Sequence, residues 1–364
     1  FHAGEMVTGK AYITPRADMP CDGVLIEIAW ATHGRGNHDG ATIAGLAYDG
    51  QQFLAGKTVA YEFQFASPGT PLTYHGHYLN VDHYVKVRLD VPWAFDPKAR
   101  EEYILLPGAA CAPVGDIRSV TETGQPKRIT GCVMAVPLVI AIVSTLVGFV
   151  PVMIVAWMIT GVLGFLAFRN TIAARKLGDV SMTLARRRAA PGELLPVSVV
   201  FSPTKPIRLN VITATLKGVE QVVSGSGTDR TTHAHTVVKE DYVLSDGGQI
   251  SVGKHVVTGE IQIPQLNAWT FYADDNKLTW KVTLKVFIPN WPDWAATAEF
   301  ALLPGGDVAG ELRTPVAESP PVSPVPAQIP VEIPAAPPEL PAAAEPGPEP
   351  QDQPPVQQES ASDR

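Results

Sequence analysis

The sequence has only three cysteines, Cys21, Cys111 and Cys132, set far apart. They cannot build the framework of a disulfide-stapled domain or the C-x-x-C pairs of a zinc ribbon, so a reducing compartment is the simpler expectation. Recognisable catalytic signatures are missing as well. There is no G-x-S-x-G elbow, no H-E-x-x-H helix and no G-x-x-x-x-G-K-[ST] loop, and the glycine-rich stretches at 34–36 and 224–228 read as hairpin tips. Basic clusters interleaved with aromatics are scarce. Of the net charge of −8, most belongs to the last 50 residues, with eight acidic groups against one basic, so the rest of the chain is close to neutral. That balance argues against a nucleic-acid binder. The same 50 residues hold 15 of the 34 prolines and no Tyr, Trp or Phe, so they lack the means to nucleate a core.

The most consequential absence is of charge in the middle of the chain. Residues 131–168, 38 in a row, contain no Asp, Glu, Lys or Arg. One helix of that length would be about 57 Å long, nearly twice a hydrocarbon core of roughly 30 Å. Two arms suit it better. Gly148 and Pro151 bracket a natural break, because proline disfavours helix in the residue before it and glycine reaches backbone angles closed to others. The arms, 132–147 and 152–168, are short for a full crossing, so a re-entrant wedge and a buried soluble hairpin stand beside the preferred transmembrane hairpin. Val139, Ile142, Leu146, Phe149, Pro151, Val155, Trp157 and Leu163 are the residues expected to insert in the membrane. Lys127 and Arg128 ahead of the segment, and Arg169, Arg175 and Lys176 behind it, are expected at the membrane surface, facing anionic lipid headgroups. Each such contact is worth about 1 kcal/mol. An even number of passes leaves both flanks on one side, and their positive charge places that side in the cytoplasm.

Outside this segment apolar residues alternate with period two. Val24, Ile26, Ile28 and Trp30 form one set, Val81, Val85, Val87 and Leu89 another with His83 in the same register, and Leu278, Trp280, Val282, Leu284, Val286 and Ile288 a third. These are half-buried strands. Pro-Gly at 68–69 and 191–192, and Asp-Gly at 39–40, 49–50 and 246–247, punctuate them at short intervals. The fold expected is all-β: two antiparallel β-sandwiches, 1–112 and 178–304, flanking a helical transmembrane hairpin at 131–170. The linker at 113–130 reads as a loop, and 305–364 as a disordered, acidic, proline-rich tail extended by self-repulsion.

Several segments, taken in order, resemble the arrestin superfamily. Gly4-Glu5 through Gly9 is similar to the family's "GE-x-x-x-G" opening, and residues 27–36 to its strand followed by a glycine loop. Phe63-Gln64-Phe65, followed by Pro68, Pro71, Tyr74 and Gly76, resembles the family's "F-x-F … P-x-x-x-P-S-[YF]-x-G" signature. In the second half Pro191-Gly192-Glu193 repeats a "PGE" opening, and Val219-Glu220, the turn at 224–228 and Ile263-Pro264 stand where the C-terminal arrestin sandwich has comparable features. The resemblance covers roughly residues 4–106 and 180–303, and it implies tandem arrestin-like sandwiches in an adaptor. The chain departs from the family in its inserted hairpin, and the strand that precedes "GE" in arrestins has no counterpart before Gly4. No residues match the charged polar core of receptor-binding arrestins, so phosphate sensing is not implied. Nor does the tail carry the tyrosine of a P-P-x-Y motif, which leaves P-x-x-P at 321–324 and 338–341 for an SH3-like reader.

Residues that carry chemistry are few. His75-Gly76-His77, with His83 in the same region, and His233-Ala234-His235 are H-x-H pairs, which on a strand turn both rings to one face as zinc requires, but a zinc site needs a third or fourth ligand. His83 reads as a hydrogen-bonded core histidine, and His33 and His38 as the flanks of a solvated loop. Cys132 is open to acylation or simple burial. Arg186-Arg187-Arg188 reads as a solvated strand end or a lipid contact, and Trp291 and Trp294 as a core plug or an anchor for a partner or the bilayer. The function expected is a non-enzymatic, membrane-anchored adaptor or scaffold that binds protein partners on the cytoplasmic face, with no metal, cofactor or nucleic acid. The alternative is a structural subunit of an oligomeric membrane assembly, its hairpin self-associating through Gly161-x-x-Gly164. An enzyme built on His75, His77 and His83 is a third reading.

Overall fold

In the computed structural model the described residues are 1–111, 119–123, 130–147 and 150–304. The period-two segments form the strands that close two cores. In the first, β1 (Met6–Ile13) pairs antiparallel with β4 (Val59–Ala66), Val7 opposite Phe65 and Ala11 opposite Tyr61. Its companion sheet is built from β2 (Met19–Gly34), β3 (Gly40–Phe53), β5 (Tyr74–His75), β6 (Leu79–Asp90) and β7 (Lys98–Tyr103), in the order β3-β2-β6-β5 with β7 also on β6. Val24, Ile26 and Ile28 of β2 and Leu89 of β6 pack against Tyr61 and Phe65 of β4.

The second core is larger. One sheet runs β10 (Arg188–Ala189), β19 (Trp294–Leu302), β18 (Asn276–Phe287), β13 (Val211–Ser224), β14 (Thr231–Ser245), with β17 (Phe271–Tyr272) also on β18. The other runs β16 (His255–Gln262), β11 (Leu194–Phe201), β9 (Ser181–Leu184), β8 (Val120–Glu122), and β12 (Ile207–Leu209) pairs with β15 (Gly248–Ile250). Leu278, Trp280, Val282, Leu284 and Val286 of β18 are all fully buried, as the alternation predicts. The expectation of a plain loop at 113–130 needs correction within its described part. Val120–Glu122 is a strand, with Val120 opposite Leu184 of β9. Three residues in a stretch of Pro, Gly, Ser and Thr are too few to register as a period, and it is the exposed edge of β9 that selects them.

Two helices stand between the cores. α1 (Thr130–Val147) and α2 (Val150–Leu177) are separated where Gly148 and Pro151 predict a break. Small residues let them approach: Ala141 and Ser144 of α1, and Ala156 and Thr160 of α2, are buried. Trp157 Nε1 donates to Thr145 Oγ1 at 3.1 Å across the pair. The hydroxyls of Ser144, Thr145 and Thr160 turn back on carbonyls of their own helices, at Ile140, Ala141 and Ala156. Outward-facing side chains are apolar and exposed, Leu146 at 80%. No single described helix is long and apolar enough to cross a membrane; the two parts of α2, Val150–Phe165 and Phe168–Leu177, meet that test only together, across a bend of 46°.

α2 outlasts the uncharged segment, continuing past Phe168 to Leu177, because its last turns have a sandwich to pack on. Ala173 and Leu177 are fully buried in the C-terminal core. Asn170 brackets Ala295 of β19, donating to its carbonyl at 2.8 Å and accepting from its amide at 3.2 Å. Gly178, at φ +72°, ends the helix, its amide reaching Ala174 O at 2.8 Å.

Candidate functional site

The seam between the two sandwiches gathers polar side chains that neither sandwich could bury alone. Glu220 sits on β13 in register with Ile212, Ala214, Leu216 and Val222, the buried parity of that strand, just past an irregularity between Gly218 and Val219. It is 1% exposed. Its carboxyl oxygens accept from Tyr74 Oη at 2.5 Å, the His77 amide at 3.1 Å and the Tyr78 amide at 2.8 Å, all from the first sandwich. Burial and the Glu220 contact together hold the Tyr74 proton on, raising its pKa far above the phenol value. Gly76 is required by this close approach, since a Cβ there would run into Glu220 Oε1 and the Tyr74 ring.

A second polar patch lies beside it. Asn37, in the turn between β2 and β3, donates from its amide to Val223 O at 2.7 Å and from Nδ2 to Gly225 O at 2.9 Å and Asp275 Oδ2 at 2.7 Å. Its Oδ1 accepts from the Gly225 amide at 3.0 Å. Asn276 Nδ2 reaches Thr32 Oγ1 at 3.1 Å, Asn37 O at 2.7 Å and Asp39 Oδ2 at 2.7 Å, and Arg230 pairs with Asp275. The glycine-rich turn flanked by His33 and His38 is exposed at His33, Gly34, Arg35 and His38, as expected, but is also docked through Asn37 and Asp39. Its polar groups are satisfied by residues more than 180 positions away, which no local pattern reveals. Trp30 packs edge-on against Phe271 at 5.6 Å, Arg35 lies over Tyr78 at 5.1 Å, and the rings of His77 and His235 lie 4.3 Å apart.

The histidine pairs do not all behave as strand pairs. β5 ends at His75, so the two rings of His75-Gly76-His77 diverge: His75 Nε2 lies 2.6 Å from Asp82 Oδ1, while His77 faces His235. His233 and His235 share a face of β14, where His233 meets Ser224 Oγ at 3.0 Å and Tyr78 at 6.2 Å. His83 is buried as expected, and its hydrogen bonding is weak: neither ring nitrogen has a partner of good geometry, and the Pro71 carbonyl is the acceptor that acts on it. Burial pushes its pKa down to about 4, against weaker opposing pulls from the Pro71 carbonyl and Asp82. A buried imidazole with so poorly made a hydrogen bond is a cost, so His83→Leu should raise stability by about 1 kcal/mol, measured by thermal or denaturant unfolding at neutral pH. A loss of stability would show that this hydrogen bond outweighs the cost of burial.

Of the residues expected to insert in a membrane, Val139, Ile142, Leu146, Pro151, Val155 and Trp157 are exposed on the helix pair and Leu163 is half-buried, whereas Phe149 lies outside the described residues. Arg169, Arg175 and Lys176 are exposed along the end of α2; Lys127 and Arg128 lie outside the described residues. Trp294 is core, but Trp291 is neither plug nor free anchor: its Nε1 donates to Ile172 O at 3.0 Å and Lys176 Nζ sits 4.9 Å over its ring. Arg186 pairs with Glu193 at 3.3 Å and with Leu194 O at 2.9 Å, Arg188 is in β10, and only Arg187 is fully exposed. Sequence reasoning passed over Asn37, Asp82, Asn276 and the role of Glu220. For Glu220 a signal existed, a carboxyl group at a position whose strand parity is buried.

No family model and no curated protein matches this chain. Among solved structures it is similar to Spo0M, a sporulation control protein from Bacillus subtilis, at 14% identity and a TM-score of 0.27, over 34% of this chain and 48% of that one. The chain thus spans about half the length of that structure.

Proposed function

We propose that the chain is a non-enzymatic, membrane-anchored adaptor whose two sandwiches, arrestin-like by their motifs, are held together on the cytoplasmic face of a membrane for protein partners. The observation that carries this reading is the helix pair: among its described side chains the outward-facing ones are exposed and mostly apolar. Patches of that kind on water-soluble monomers are rare. Its internal hydroxyls are satisfied within the helices, as a hydrocarbon environment demands. Both ends of the pair lead to the C-terminal sandwich, through β8 on one side and the docked end of α2 on the other. This favours a hairpin that returns to the side from which it started. Exposed Arg169, Arg175 and Lys176 near the C-terminal end of α2 support a contact with anionic headgroups.

The test is extraction and accessibility. The chain should stay with membranes through alkaline carbonate washing, and cysteine labels placed near residues 50 and 250 should react from the same side. Release by carbonate, or labels in opposite compartments, would end the proposal. The alternative, a structural subunit, draws on Gly161, beside which the structure leaves open space for a neighbouring helix. Mass in detergent separates the two: a monomer or dimer supports the adaptor, a large ring or polymer the subunit.

A further inference from the structure

We propose that His33, His75, Asp82 and Glu102 form a binding site for one divalent transition-metal ion of the zinc class. The site lies wholly in the first sandwich and does not depend on the membrane reading. Four neighbouring strands supply one ligand each. His33 of β2 and His75 of β5 both stand opposite Asn80 of β6, and Glu102 of β7 stands opposite Tyr84. Asp82 falls between Asn80 and Tyr84 with the same parity, so all four side chains project from one face of the sheet. No residue of β5 or β7 pairs with Asp82 itself, which leaves its carboxyl group in the gap where the two short strands meet.

The distances converge on Asp82. Its Oδ1 lies 2.6 Å from His75 Nε2 and its Oδ2 lies 2.6 Å from His33 Nδ1. The ligand atoms of His75, Asp82 and Glu102 all lie within 4.8 Å of one another. Asp82 is 1% exposed in its side chain while each histidine is 56% exposed, so the group has a buried floor and an open mouth. Asp82 Oδ2, although close to His33, has no partner in hydrogen-bond geometry. The contact with His33 is thus close but poorly directed, and a cation at the centre would satisfy that buried oxygen better.

Two imidazole nitrogens and two carboxylate oxygens are the donor set of Zn²⁺ and its first-row neighbours, not of Ca²⁺, which takes oxygen ligands alone. Tetrahedral bonds of about 2.0–2.2 Å place ligand atoms about 3.3 Å apart, so the 2.6 Å contacts must open while Glu102 and the exposed His33 ring turn inward to complete the shell.

The experiment uses the full chain, purified in detergent without a polyhistidine tag and titrated with Zn²⁺ by calorimetry and with Co²⁺ by visible absorption. One ion per chain, with the intense d–d bands of tetrahedral cobalt, is the expected result. His75→Ala and His33→Ala, at exposed positions, should each keep the parent circular dichroism and weaken binding by more than about tenfold, and Asp82→Asn should abolish it. His77→Ala and His235→Ala, in the neighbouring histidine pair, should bind as the parent does. Failure of the parent to take up a stoichiometric ion would overturn the site. So would parent-like affinity in His75→Ala or His33→Ala, or loss of binding confined to the His77 and His235 variants. Should Asp82→Asn not fold, the double variant His33→Ala with His75→Ala decides in its place.

Discussion

Glu220→Ala should uncouple the two sandwiches, and the effect should be among the largest of any single substitution in the chain. The carboxyl group is buried and is the acceptor for three donors from the opposite sandwich, the Tyr74 hydroxyl and the amides of His77 and Tyr78. Truncation leaves all three without this acceptor at a part-buried seam. A fully buried orphaned donor costs about 1–3 kcal/mol, and with these part-buried a total loss of about 2–3 kcal/mol is expected. Because Glu220 acts across the seam, the loss should fall on the association of the sandwiches more than on either core. Calorimetric unfolding should separate into two transitions, and limited proteolysis should begin cutting at the turn around Asn37, which the same seam holds in place. Glu220→Gln keeps one acceptor oxygen and should show a smaller loss. A single transition at the parent temperature in the alanine variant would show that the hydrogen bonds from Asn37 and Asn276 suffice to hold the seam.

Leu177→Ala carries the second large effect. This residue is the last of α2, is fully buried among the C-terminal core residues, and immediately precedes the glycine that ends the helix. Removing its branched side chain leaves a cavity at the joint between helix and sandwich, for a loss of about 2–5 kcal/mol. The joint, rather than the sheets, should respond first. Spin labels on α2 near Arg169 should gain mobility while labels on β18 do not, and protease should gain access near Gly178. A uniform loss of stability with no gain in helix mobility would mean that Asn170 and Trp291, which also fasten α2, are enough to fix it.

Much of this architecture could be read from residue order alone. Period-two alternation located the strands that close both cores because side chains on a strand alternate faces, and a strand buried on one face cannot disguise its parity. Thirty-eight residues without charge announced the helix pair, and Gly148 and Pro151 its break, since these are local backbone preferences. Three readings are incomplete for a common reason. His75 and His77 were expected to share a face, but a two-residue strand imposes no alternation beyond its end. Residues 120–122 were expected in a loop, but an open strand edge recruited them. The turn at 34–40 is expected in solvent and is largely exposed, but Asn37 also hydrogen-bonds to the other sandwich.

What the amino-acid order determined by itself was therefore everything governed by neighbours along the chain: mostly β structure, a greasy helical pair in its middle, and turns between strands. What only the tertiary structure decided was which polar groups meet. Glu220 with Tyr74, Asn37 with Asp275, and His33 with Asp82 are separated by 146, 238 and 49 positions, and no local preference links them. Their pairing follows from burial, which removes water and obliges each polar atom to find a partner among whatever the packed sheets bring within reach.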